Sequence, residues 1–382
     1  MKKALIVASV ASMIDQFNMR NIEILQELGY EVSVACNFLH GSSCSDSRVE
    51  TLKKRLDGMG VKHFHIDFSR NIFNLPSLFR SYRELKRIIG DDKDIIHCHS
   101  PIGGMLCRLA ARRARRKGTV VMYTAHGYHF YRGAPLLNWL VFYPVEKLCA
   151  GMTDVLITIN GEDLELSRRK MRAGRIEYIP GVGVDTDRFL HTSVDREEKR
   201  ASLGVPDGAF ALVSVGELNR NKNQEVIIRA MAEAKNKELF YCVVGKGELL
   251  EYLSELAESL GVGERVRFLG FREDVNEIYK SCDACVFTSV REGLGISAVE
   301  AMASGLPLVV SDNRGTRCYA TDGDNALVRA YDDVKGFADA LDRLSSDGEL
   351  AVSMGEKNAR RAREFSSETV DALMRQIYTL EK

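Results

Sequence analysis

Ten short apolar runs, each the length of a buried strand and each separated from the next by an amphipathic stretch, set the tightest limit on what this chain can fold into. In the first half they are Ala4 to Ala8, Glu31 to Ala35, Asp94 to Cys98, Thr119 to Thr124 and Asp154 to Ile159. In the second half they are Ala209 to Val215, Phe240 to Val244, Arg265 to Leu269, Ala284 to Thr288 and Leu306 to Ser311. Strands that alternate with helices build parallel sheets covered by helices on both faces. The alternation breaks once, between Pro180 and Pro206, where turn and charged residues replace it. At 382 residues the chain exceeds what one core usually holds. Two doubly wound, Rossmann-like α/β domains are therefore expected, at 1–185 and 186–365, turning the ligand-binding carboxyl ends of their strands toward a shared central cleft. The segment Ser366 to Leu380 reads as helix, and 366–382 is expected to return to the first domain.

No apolar run approaches the roughly 18 residues of a membrane span, and the apolar stretch at the start is too short for a secretory signal, so a cytoplasmic chain is expected. The nine cysteines are scattered, several of them inside apolar runs (Cys98, Cys242, Cys285), which fits reduced core thiols. Cys282 and Cys285 have metal-like spacing, but without a second pair or a nearby histidine no metal is expected. A net charge of zero hides an asymmetry: residues 1–190 hold 28 Lys and Arg against 20 Asp and Glu, and residues 191–382 hold 25 against 33. The densest basic segment is Arg108, Arg112, Arg113, Arg115, Arg116 and Lys117, helical by composition, with further clusters at Lys53 to Arg55 and Arg80 to Arg87. An anionic membrane surface at the inner face of the cell membrane and a plain solvated helix face account for such a segment equally well. Nucleic acid is not expected, because the densest basic segment, Arg108 to Lys117, has no interleaved aromatic residue and no known reader motif is present.

The stretch Arg291 to Glu300 carries the chemistry. After the strand-like Cys285 to Thr288, Gly293 and Gly295 permit a tight turn, Ile296 to Ser304 is helix-forming, and Gly305 and Pro307 stop it. Free N–H groups and the dipole at a helix start favour an anion, so Gly295 and Ile296 would face a phosphate. Glu300, about one turn in, can accept two hydrogen bonds from a ribose diol, and Glu292 in the loop can reach hydroxyls on whatever the phosphate carries. Taken singly, Glu300 is more often an ordinary first-turn acid and Glu292 a solvated loop residue. A nucleotide-dependent oxidoreductase is disfavoured: the first strand runs into Ser9 to Met13 without a G-x-G-x-x-G, and Gly245-Lys246-Gly247 lacks the third glycine.

With its two α/β domains and its pair of glutamates, the chain resembles the retaining glycosyltransferases of family four, which have the GT-B fold. The matching segments are His97 to Pro101, Thr124 to Gly127, Pro180 to Asp185, Gly216 to Asn223, Val244 to Gly247, Leu269-Gly270 and Arg291 to Glu300. Within that family it is most similar to bacterial enzymes that build capsular or exopolysaccharide units on a polyprenyl diphosphate carrier. The resemblance implies that Lys222 holds the donor diphosphate, that Glu292 lies near the hydroxyls of the transferred sugar, that Glu300 binds the ribose and that His126 faces the sugar. Gly216, Gly245, Gly293, Leu294, Gly295 and Ile296 would complete the donor site, with Phe271 and Arg272 at the base. Family members often carry an arginine where this chain has Glu217, and Arg220 is the candidate replacement. The paired-glycine loop after the first strand is replaced here by Ser9 to Ser12.

The implied reaction moves a hexose or N-acetylhexosamine from a nucleotide diphosphate sugar, UDP by preference, to a lipid-linked glycan acceptor with retained configuration. It calls for no metal and no cofactor beyond the nucleotide sugar as co-substrate. Two other readings share these residues: a nucleotide-sugar 2-epimerase, and a non-catalytic partner subunit that has kept nucleotide binding.

Overall fold

The computed structural model describes residues 2–40, 45–69, 71, 74–131 and 133–379. They form two compact units, one running to Val182 and resuming at Val370, the other comprising Gly183–Thr369. The first is built on seven strands: β1 (Lys2–Val10), β2 (Tyr30–Asn37), β3 (Lys62–His65), β4 (Ile95–His99), β5 (Val120–Ala125), β6 (Val155–Thr158) and β7 (Arg175–Tyr178). They lie in the order 3-2-1-4-5-6-7, and every neighbouring pair is parallel. The second is built on six: β8 (Phe210–Val215), β9 (Leu239–Val244), β10 (Val266–Gly270), β11 (Ala284–Phe287), β12 (Leu308–Ser311) and β13 (Ala326–Arg329). Their order is 10-9-8-11-12-13, again all parallel. Both sheets are doubly wound, reversing direction between β1 and β4 in one and between β8 and β11 in the other, which is where such folds bind ligands.

All ten expected strands are present; nine lie inside their sheets, where a strand covered on both faces must be apolar at successive positions, and the tenth, β10, is an edge. The side chains of β1 divide accordingly, with Ala4, Ile6 and Ala8 in the core on one face of the sheet and Leu5 and Val7 in the core on the other. Three strands escaped the sequence reading, β3, β7 and β13, and each is the edge of its sheet. The first two, Lys-His-Phe-His and Arg-Ile-Glu-Tyr, have no fully buried residue, so the apolar signal is missing from them.

The last helix, Ser367–Thr379, places Val370, Met374, Ile377 and Tyr378 in the core of the first unit beside Ile6 and Ile95. The basic segment around Arg112 differs from expectation. It is two helices, Pro101–Ala110 and Arg112–Arg116, and Arg108 is not on a solvated face. Its guanidinium is buried 2.8 Å from the Glu146 carboxylate and 3.8 Å from the centre of the Tyr123 ring. A buried arginine of this kind is held by charge pairing and by the face of the ring.

Candidate active site

At the switch point of the second sheet, β8 and β11 deliver two loops side by side. The loop after β8 begins at Gly216, whose backbone lies against Gly245 at the end of β9. A Cβ on Gly245 would sit 1.9 Å from the Gly216 carbonyl oxygen, so only glycine permits this approach. The loop is tied to the one after β11 through several hydrogen bonds. The Val290 N–H donates to the Asn221 carbonyl (2.7 Å), Asn221 Nδ2 to the Arg291 carbonyl (3.0 Å), and the Thr288 hydroxyl to the carbonyls of Lys222 (3.0 Å) and Asn223 (2.9 Å). Asn223 supports the turn in a left-handed conformation, φ 55°, and donates to the Tyr331 carbonyl. This lacing fixes where the lysine between them points.

Lys222 Nζ lies 2.7 Å from Glu292 Oε1, with both side chains mostly shielded from solvent, and 5.3 Å from the centre of the Phe287 ring. A Cβ on Gly216 would press on the Lys222 side chain at 3.2 Å, so the glycine leaves room for the lysine to lie across it. Beyond Glu292, Gly295 begins the helix Ile296–Ala303 with φ 92° and offers no side-chain acceptor to the first-turn N–H groups. A Cβ at Gly295 would meet the Phe287 ring at 2.6 Å and the Tyr319 hydroxyl at 3.1 Å. The carbonyl of Glu292 accepts from Arg314 Nε at 3.2 Å, which places a second, buried guanidinium behind the loop. The side chain of Leu294 is buried in the core, so only its backbone can meet a ligand.

Glu300 stands on the same helix, and burial raises its carboxyl from the ordinary glutamate value to about 7, with Arg188 opposing the shift. Near neutral pH it is divided between the neutral acid and a carboxylate that accepts hydrogen bonds. Other residues named from sequence fall differently. Phe271 is 60% exposed after β10, open for stacking. Arg272, by contrast, is engaged by both oxygens of Asp274, at 2.8 and 2.6 Å. Arg220 is exposed on the loop after β8. Glu217 is exposed as well and accepts from Asn219 Nδ2, so its charge is turned to solvent.

In the first unit, His126 follows β5. Its Nε2 lies 3.1 Å from Nδ1 of His99, the last residue of β4. His97, two residues earlier on the same face of β4, is bonded at both nitrogens, to Tyr378 Oη (2.7 Å) and Thr124 Oγ1 (2.8 Å), and is a satisfied core histidine. Burial pushes all three below the ordinary histidine value, His126 to about 4 and His97 to about 3, with His99 also lowered well below it. They are neutral imidazoles at physiological pH. His99, Arg314 and Tyr319 were not anticipated. Only His99 left a trace, since it lies within the matched segment His97 to Pro101.

Two family models match the chain. That for Glycosyltransferase Family 4 covers residues 20–188, and that for Glycosyl transferases group 1 covers residues 195–361. The chain is 38% identical to EpsD of Bacillus subtilis (strain 168), a protein named as a glycosyltransferase, over 99% of this chain and 96% of that protein. It is 30% identical to an Escherichia coli UDP-Gal:alpha-D-GlcNAc-diphosphoundecaprenol alpha-1,3-galactosyltransferase, over 76% of this chain and 74% of the relative. Among solved structures, Anabaena Alr3699/HepE in complex with UDP and glucose superposes with a TM-score of 0.78 at 19% identity, over 99% of this chain and 100% of the other. That likeness shows the two-unit GT-B fold.

Proposed function

The chain belongs to glycosyltransferase family 4, and on that premise we propose that it moves a hexose or N-acetylhexosamine from a UDP-sugar to a polyprenyl-diphosphate-linked glycan, with retained configuration, in the assembly of an exopolysaccharide or capsule. The observation that carries the donor half of this reading is the clustering of Lys222, Glu292, the glycine-capped helix start at Gly295 and the near-neutral Glu300 at the β8/β11 switch point. An ammonium and a helix N-terminus are what a departing diphosphate needs. A carboxylate one turn further in suits a ribose diol. The acceptor half leans on the E. coli relative, whose name specifies a UDP-galactose donor and a diphosphoundecaprenol-linked acceptor.

In this reading Lys222 exchanges its pairing with Glu292 for the donor diphosphate, and Glu292 turns to the sugar hydroxyls. The acceptor hydroxyl attacks the anomeric carbon from the side the diphosphate leaves. The bond from that carbon to the diphosphate oxygen breaks, the bond to the acceptor oxygen forms, and the hydroxyl proton passes to the leaving phosphate. Catalysis is then positioning and charge stabilisation, with no protein nucleophile. His126, assigned by its motif, supplies a neutral hydrogen-bonding group to the sugar.

The deciding experiment incubates the protein with a panel of nucleotide sugars, with and without membrane lipid extract, and follows nucleotide release and the anomeric configuration of the product. Acceptor-dependent UDP release with an α-linked product from an α-linked donor supports the proposal. Conversion of UDP-N-acetylglucosamine with no acceptor present identifies a 2-epimerase instead. Donor binding without product on any acceptor identifies a non-catalytic subunit.

A further inference from the structure

The helix Leu136–Ala150 of the first unit is mostly apolar, with Asn138, Glu146 and Lys147 interrupting apolar residues that are not confined to one side, a composition usual for a largely enclosed helix. It is not enclosed. Leu136, Leu137, Leu140 and Leu148 are 66–74% exposed, and with Pro144 they follow the helical repeat along one outer face. The opposite face is anchored, Trp139 Nε1 donating to the Tyr131 carbonyl and the buried Glu146 pairing with Arg108. The one charged side chain that the helix exposes to solvent is Lys147. At its C-terminal end, Gly151 and Met152 share a depression with Arg112, Arg115, Arg116 and Asp154; Asp154 is paired with Arg115, which leaves Arg112 and Arg116 as its exposed cations.

We propose that this face docks on an anionic lipid bilayer, with the leucines among the acyl chains and Lys147, Arg112 and Arg116 at the phosphates. At 15 residues the helix is about 22 Å long, shorter than the hydrocarbon layer, so it lies in the plane of the surface. No helix among the described residues is long and apolar enough to cross a membrane. An apolar stripe bordered by cations, on a helix whose one carboxylate is turned inward, matches acyl chains overlaid by phosphates in both shape and charge. The choice of a bilayer as occupant also rests on the lipid-linked acceptor proposed above. The basic residues alone had suggested such a surface from sequence; the exposed leucines give it an apolar anchor.

Co-sedimentation of the full chain with vesicles of phosphatidylcholine, alone or with one-third phosphatidylglycerol, tests this. The wild type should partition onto the anionic vesicles. Leu137→Gln/Leu140→Gln should weaken partition at least about tenfold, and Arg112→Gln/Arg116→Gln should weaken it about fivefold per residue while lowering its sensitivity to salt. UDP binding by calorimetry should stay at the wild-type value in both variants, which separates a failure of docking from a failure of the donor site. Equal partition of the wild type and the leucine variant overturns the proposal. So does a wild-type dimer that the leucine changes convert to a monomer without loss of vesicle binding, since the face would then belong to a second copy.

Discussion

The two sheets have the same winding, and the residues at the carboxyl ends of their central strands have opposite electrostatic character. In the second unit an ammonium, a carboxylate, an open helix terminus and a half-ionised glutamate are gathered on two loops and the helix that one of them opens. In the first, three adjoining histidines are held neutral by burial. The fold sets where a ligand can sit, and the side chains on the loops set whether the site meets charge or neutral polarity. On the proposed reading the donor diphosphate goes to the first arrangement. Neutral hydroxyls suit the second.

The hardest test of this contrast is Lys222. Lys222→Ala should lower kcat/KM on the order of a hundredfold to a thousandfold, since it removes a contact that strengthens as the diphosphate leaves. Glu292→Ala should abolish transfer while its melting transition stays cooperative. If either variant keeps wild-type turnover, the charged cluster is not the donor site. Gly295→Ala comes next: a Cβ there must enter the left-handed region and displace the Phe287 ring, so about 1–3 kcal/mol of stability and most donor affinity should be lost together. Chemical denaturation and calorimetry on one preparation would show whether the two losses coincide.

Glu300 sharpens the comparison through pH. Its folded value is raised to about 7 by burial, so the carboxylate suited to two ribose hydrogen bonds grows in as pH rises from about 6 to 8. Donor affinity should rise over that range, approaching tenfold per unit on its acid side, and Glu300→Gln should flatten the profile. Stability moves the other way. A carboxyl with a raised folded value stabilises the protein fully below the unfolded value near 4.5, and that contribution is lost as pH climbs through 7. Relative to the wild type, the Gln variant should therefore melt higher at pH 8 than at pH 5. His126, at about 4, is neutral throughout this range, so His126→Ala should lower the rate without altering the pH profile.

How much of this could be read from the residues alone follows from burial. Interior strands must be apolar on both faces, and Phe240 to Val244 or Ala284 to Thr288 announce themselves. Edge strands such as Lys62–His65 are held by pairing on one side only and carry no such requirement. In the site, Lys222, Glu292 and Glu300 stand in a recognisable order along the chain. Arg314 and Tyr319 reach the same loop from beyond β12, and nothing local marks a buried arginine that bonds a carbonyl 22 positions earlier. The burial of Arg108 was hidden for the same reason: its partner Glu146 is 38 residues away.

The smallest expected effect concerns Arg272. The family resemblance implied a place for it at the nucleotide base, yet in the folded protein its guanidinium is paired on two nitrogens with Asp274, a carboxylate held well below its usual range by that arginine first and by Lys199 as well. A guanidinium so engaged has little left to offer a base, whereas the neighbouring Phe271 ring is open to solvent and free to stack. Arg272→Ala should therefore change the KM for the donor by less than about threefold, as expected for loss of a half-exposed ion pair, and Phe271→Ala should raise it more. Steady-state kinetics on the two variants decides the order. A larger effect at Arg272 would mean that the Asp274 pair opens when the nucleotide binds, and that the charged character of the second unit's loops extends to the base.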